Sequence, residues 1–288
     1  MQRSAVVFFA LLMPLMALAD SGNPIIGAVE KAADELGARV GFSAHDLETG
    51  QRWEYNADQR FPLSSTFKTL ACADLLYRHD QDEVELNEKV SISEADLVTY
   101  SPVTEKYANT RAMTLAELCE AALTMSDNTA ANMILRTLGG PGSITAFAKF
   151  LGDDSTRLDR WETELNEAQP GDPRDTTTPN AMVRNLTRLL FGDVLSLSSR
   201  DQLREWLQGN QVADGLFRAS LPDDWVIADR TGAGGYGSRS ITAVMWPPER
   251  KPIVVAFYIT ETESSFEERN DAIADIGSTI VKVIGRIP

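Results

Sequence analysis

Residues 225–260, WVIADRTGAGGYGSRSITAVMWPPERKPIVVAFYIT, read as three β-strands: Trp225 to Arg230, Ser240 to Trp246 and Pro252 to Thr260. The glycine-rich run Ala233–Gly237 separates the first two. A closing helix follows, with Ile273, Ile276, Ile280 and Val283 on one face. At the other end of the chain Asn23-Pro24 supplies a cap residue and a first-turn proline. Ile26, Val29, Ala33 and Leu36 then share a face until Gly37 stops the helix. Val40 to Asp46 and Gln51 to Tyr55 form a hairpin around Glu48-Thr49-Gly50. Five strands therefore lie at the two ends of the chain, with helices beside them. The block between, from about Phe61 to about Gly209, is helical or loop-like, with Ala/Leu-rich stretches at Leu70–Tyr77, Leu115–Thr124, Thr129–Leu138 and Ala181–Leu190. The expected fold is α/β in the α+β sense: a sheet domain made of residues 20–60 and 210–288, and an all-helical lobe, 61–209, inserted into it. Within that lobe, residues 160–179 carry Pro170, Gly171, Pro173 and Pro179 and read as a compact Ω-type loop.

The 288 residues, 43% of them hydrophobic, are enough for a full core. Arg3 is the only charge in the first stretch, the apolar run from Ala5 to Leu18 is interrupted by Pro14, and Ala17-Leu18-Ala19 offers a small-residue exit. Residues 1–19 therefore read as a secretory signal peptide, too short to serve as a membrane anchor of roughly 18 uninterrupted apolar residues. The expected location is outside the cytoplasm, secreted or periplasmic, with no membrane association after cleavage. With 42 acidic and 27 basic residues the net charge is −15, and no Lys/Arg stripe is available to neutralise a phosphate backbone, which argues against nucleic-acid binding. Any anion site must be built from a few placed cations, for which Lys68, Arg230 and Arg239 are the candidates. Export would oxidise the two cysteines, Cys72 and Cys119, to one disulfide worth about 4 kcal/mol at most. Two isolated histidines, His45 and His79, give no metal-ligand spacing, so neither a metal nor a cofactor is expected.

Four short motifs occur in order. Ser65-Thr66-Phe67-Lys68 follows Pro62 and opens an apolar helical stretch, so Ser65 falls in a first turn with Lys68 on the same face, where the two can touch. First-turn amides lack intrahelical acceptors, so the Ser65 N–H can stabilise an oxyanion. Ser126-Asp127-Asn128 sits between two helical stretches; alone it would read as an N-cap. As part of a set, Ser126 can pass a proton to a leaving nitrogen, Asn128 can hold Lys68 and a substrate carbonyl, and Asp127 fixes the loop. Glu162 and Asn166 are four apart, so one helical turn would bring together a carboxylate and an amide able to hold and deprotonate a water. Arg160 and Asp175 flank this segment and can pair across its neck. Arg230-Thr231-Gly232 ends a strand, after which the Ala233 N–H can serve as a second oxyanion donor, with Arg230, Thr231 and Arg239 gripping a carboxylate.

This ordered set resembles the class A serine β-lactamases over essentially the whole chain after the signal peptide. One motif departs from the usual Lys-Thr-Gly: Arg230 in its first position is similar to the carbenicillin-hydrolysing subgroup. The resemblance implies the serine β-lactamase/penicillin-binding-protein-like fold, an antiparallel five-stranded sheet flanked by helices plus a helical lobe. It also implies a small-molecule β-lactam substrate and an acyl-enzyme on Ser65. Lys68, or Glu162 through a water, takes the serine proton; Ser126 protonates the ring nitrogen; Glu162 and Asn166 activate the deacylating water. Tyr100 matches an aromatic wall beside the site, and the chain is expected to act as a monomer. A penicillin-binding sensor or a D-alanyl-D-alanine peptidase, each acylated at Ser65, would share much of the chemistry, but a sensor would lack the Glu162/Asn166 pair.

Overall fold

The computed structural model describes residues 22–285; the signal-peptide segment lies outside them. Helix α1, Pro24–Leu36, is capped by Asn23 Oδ1 accepting from Ile25 N and ends at Gly37 in the left-handed conformation (φ 52°). Strands β1 (Arg39–Asp46) and β2 (Arg52–Tyr55) form the hairpin. The chain then leaves the sheet for β3 (Phe61–Pro62), α2 (Phe67–Asp80), β4 (Lys89–Val90), β5 (Met113–Thr114), α3 (Leu115–Thr124), α4 (Asn128–Leu138), α5 (Gly142–Phe150), β6 (Thr176–Thr177), α6 (Pro179–Phe191) and α7 (Leu197–Gln208). It returns in β7 (Val226–Ala233), β8 (Arg239–Trp246) and β9 (Ile253–Thr260) and closes with α8 (Phe266–Ile284).

The main sheet is antiparallel in the order β2-β1-β9-β8-β7, with β1 pairing β9 from Arg39↔Thr260 to Asp46↔Ile253. Strand alternation sends Ile253, Val255, Phe257 and Ile259 to one face, where they pack with Ile25, Val29, Ile273 and Ile280 of the two terminal helices. Val254, Ala256 and Tyr258 point the other way and join a core that runs through α2, α3, α4 and α6. The inserted lobe is not wholly helical: β3–β6 and β4–β5 are two-residue antiparallel ribbons that tie its loops together. Cys72 on α2 and Cys119 on α3 are joined by a disulfide, with Cα atoms 5.7 Å apart, inside this core.

Candidate active site

Ser65 lies in a 3-10 turn, Ser64–Thr66, that runs directly into α2. Lys68, one turn on, is fully buried. Its Nζ donates to Asn128 Oδ1 at 2.6 Å and to the Ser126 carbonyl at 2.9 Å, stands 3.2 Å from Glu162 Oε1 as an ion pair, and lies 3.4 Å from Ser126 Oγ. The ammonium is thus claimed by three residues from two segments, Ser126 and Asn128 on one and Glu162 on the other, and no direct Ser65–Lys68 hydrogen bond forms. The connection runs through Ser126, whose Oγ donates to Ser65 Oγ at 3.2 Å. Burial pulls the Lys68 pKa down to about 8; the Glu162 charge opposes this and Arg230 reinforces it.

Asp127 caps α4 by accepting from Ala130 N at 2.8 Å, and its other oxygen accepts from Val103 N and Thr104 N at 2.9 Å each. This buried carboxylate therefore fixes the 100–104 loop to the start of α4. Asn128 adds a second tie, Nδ2 donating to the Thr99 carbonyl at 2.9 Å, and its N–H donates to the Tyr100 carbonyl at 3.0 Å. Tyr100, held at φ 65°, projects half exposed into the cavity.

Glu162 is 2% exposed. Asn132 grips its main chain from both sides, Nδ2 donating to Glu162 O at 2.9 Å and Oδ1 accepting from Glu162 N at 3.0 Å. Asn166 Nδ2 donates to Glu162 Oε2 at 2.5 Å across a 3-10 turn, so the four-residue spacing delivers the pair without an α-helix. Asn166 Oδ1 remains a buried acceptor without a hydrogen-bond donor among the described residues, and Glu162 Oε1, met only by the Lys68 ammonium, keeps acceptor capacity. The loop's neck is closed by Arg160 Nε donating to Asp175 Oδ2 at 2.6 Å, and Asp175 Oδ1 also accepts from Asp159 N and Arg160 N. Its inner edge docks on the β7–β8 turn, Gly235 N donating to Asn166 O at 2.8 Å. The approach requires small residues: a Cβ at Gly234 would lie 2.8 Å from Asn166 O and 3.0 Å from Ser64 Oγ.

The outer strand β7 forms the opposite wall, and Thr231, Gly232 and Ala233 line the cavity with Arg239. Arg230 does not line it. Alternation places Arg230 on the face of Ala228, toward the helical lobe, where it is 1% exposed. Its guanidinium donates to the carbonyls of Ser65 and Leu123, at 3.3 Å each, and to Ser126 Oγ. Burial lowers its pKa to about 10, against the raising effect of Asp229 and Glu162. Arg239, 5% exposed, donates to Asn270 Oδ1 at 2.8 Å and to Gly232 O at 3.0 Å, and burial first, then the Arg230 and Arg269 charges, lowers its pKa to about 10.

The cavity, about 470 Å³, thus collects Ser65, Ser126, Asn128, Asn166, Thr231 and Arg239, with Tyr100 on its rim, a size suited to a small organic ligand. Asn132, Phe266 and Asn270 are the site residues that sequence reading missed. A spacing signal was available: Asn132 stands four after Asn128 on α4, and Asn270 four after Phe266 on α8. Among the described residues no group of three or more His, Cys, Asp or Glu is placed to hold a metal.

Fold and sequence together define the class: the chain belongs to the beta-lactamase enzyme family, whose description matches residues 25–284. Its relatives place it in class A. It is 51% identical to Beta-lactamase CARB-4 of Pseudomonas aeruginosa over 282 residues, 96% of this chain and 97% of that one. It is also 51% identical to Beta-lactamase AER-1 of Aeromonas hydrophila, over 94% of this chain and 90% of the relative. An ancestral class A β-lactamase superposes with a TM-score of 0.88 at 50% identity, covering 90% of this chain and 99% of that structure. The chromosome-encoded β-lactamase of Vibrio parahaemolyticus gives 0.88 at 45% identity, covering 91% and 99%. The protein is accordingly a class A β-lactamase, a hydrolase whose activity confers resistance to β-lactam antibiotics.

Proposed function

We propose that the hydrolysis proceeds through an ester on Ser65 that is released by water activated at Glu162, in an exported, periplasmic penicillinase that favours penicillins bearing a side-chain carboxylate. The single observation that best supports this is the pair of buried acceptors, Glu162 Oε1 and Asn166 Oδ1, beside a cavity that also holds Ser65. A water between them would find acceptors for both its protons, and Glu162 would remove one as that water attacks the ester.

In the acylation step the Ser65 Oγ–carbon bond forms, the ring C–N bond breaks, and the nitrogen takes a proton from Ser126. The Ser65 and Ala233 N–H groups stabilise the oxyanion, Asn128 Nδ2 faces the substrate's side-chain carbonyl, and Thr231 and Arg239 bind its ring carboxylate while Gly232 keeps the strand narrow. Arg230 acts from behind, through its field and its hold on Ser126. Two acceptors can take the serine proton, the Lys68 amine by way of Ser126 and Glu162 by way of a water, and their pH signatures are opposite. If the neutral amine is the base, acylation rises through a pKa of about 8; if the ammonium is required and Glu162 is the base, acylation falls through the same pKa. Single-turnover acylation rates between pH 6 and 10 distinguish them.

The direct test is intact mass after rapid quench with a good penicillin. Glu162→Ala should accumulate the adduct, because attack survives and water activation fails, with turnover falling about 10²–10⁴-fold. Rapid full turnover by this variant rules out the role given to Glu162.

A further inference from the structure

We infer that Phe266 is a positioning residue for the carboxylate clamp, its ring holding the Arg239 guanidinium in the cavity without neutralising it. The inference rests on the reading above that Arg239 takes the substrate carboxylate. A buried cation ordinarily sits against a carboxylate. Arg239 does not: it donates to the amide oxygen of Asn270 and the carbonyl of Gly232, and its guanidinium carbon lies 4.8 Å from the centroid of the Phe266 ring. None of the three carries a negative charge.

The same ring meets a second cation. Arg269, three residues further along α8, has its guanidinium carbon 5.5 Å from the ring centroid, and its own hydrogen bonds go to the carbonyls of Ser265 and Ser238. One aromatic ring therefore serves two guanidinium groups at the rim of the cavity, its quadrupole offsetting their mutual repulsion. Phe266 is 50% exposed and lines that cavity at the first position of α8, where burial of a phenyl ring is no explanation for it. Neither arginine forms an ion pair among the described residues, and Glu268, in the same turn, is turned back into the capping box, accepting from Ser265 N at 2.7 Å. A carboxylate in the place of the ring would hold Arg239 as firmly but would compete with the substrate's own. A ring attracts the cation and leaves its positive field open to an incoming anion.

The test compares benzylpenicillin with its methyl ester, which lacks the charge. Phe266→Leu should raise KM for the acid roughly 5- to 30-fold, the range of a partly desolvated cation–π contact, with kcat within about twofold. Phe266→Tyr should restore the wild-type KM, and Phe266→Met, which fills the space without a ring, should behave as Phe266→Leu if the latter folds poorly. Against the ester the effect of Phe266→Leu should vanish, and in an Arg239→Ala background it should be under about twofold for either substrate. Equal KM values for the Leu and Tyr variants and the wild type, or an undiminished loss in the Arg239→Ala background, overturn the inference. If Arg239→Ala alone leaves the preference for acid over ester intact, it is the clamp reading that fails.

Discussion

The two sides of the cavity handle buried charge in opposite ways. On the lobe side Lys68 is enclosed completely and balanced by Glu162, Asn128 and Ser126, all within 3.4 Å. On the sheet side Arg239 is nearly as buried, yet only neutral groups touch it. A proton-handling cluster gains from internal compensation, because burial lowers the Lys68 pKa and the Glu162 charge checks that fall, leaving it near the working pH. A binding wall gains from leaving charge uncompensated, because that field is what an anionic ligand completes.

The sharpest way to break this contrast is Lys68→Met. It leaves Glu162 buried without a counter-ion, so stability should fall by about 3–5 kcal/mol at neutral pH, together with loss of detectable turnover; denaturant unfolding at constant slope would measure it. Arg239→Ala should do the reverse in stability terms, changing it by less than about 1 kcal/mol, while weakening substrate-carboxylate binding by roughly 1–3 kcal/mol, visible as a raised KM. A large stability loss in this variant, or an unchanged KM, dissolves the distinction between the walls. Arg230→Lys is the mildest change: it keeps the charge and shortens the reach to Ser126, so penicillin turnover should persist while the preference for dicarboxylate penicillins diminishes. Parallel kcat/KM values for carbenicillin and benzylpenicillin in both forms check it.

Much of this was legible in sequence where pattern and chemistry coincide. All five long strands follow from alternation and β-branching, and the capped ends of α1 are written in Asn23, Pro24 and Gly37. Helices α5 and α7 went unread. The buried set of α7 is only Ser199, Leu203, Trp206 and Leu207 in an otherwise polar stretch, so its apolar face is too narrow to show. Two-residue ribbons such as β3–β6 are shorter than any period. The motifs brought Ser65, Lys68, Ser126, Glu162 and Asn166 into consideration, but not the direction of Arg230, which depends on which sheet face the lobe covers. Nor could Phe266 be distinguished from a helix-start residue until α8 was seen to pass beside β8.

The pairing of β1 with β9 also has a consequence for how the molecule comes into being. Arg39 and Glu261, whose side chains join at 2.7 Å at the end of that ladder, are 222 positions apart. During synthesis the leading hairpin must therefore wait, as a marginal two-stranded ribbon, until nearly all the chain has followed. The lobe can collapse in the interval, but β9, which alone joins the wall strands β7 and β8 to β1, follows them, so a chain stopped before Ile253 would carry the nucleophile beside a wall that nothing ties to the leading hairpin.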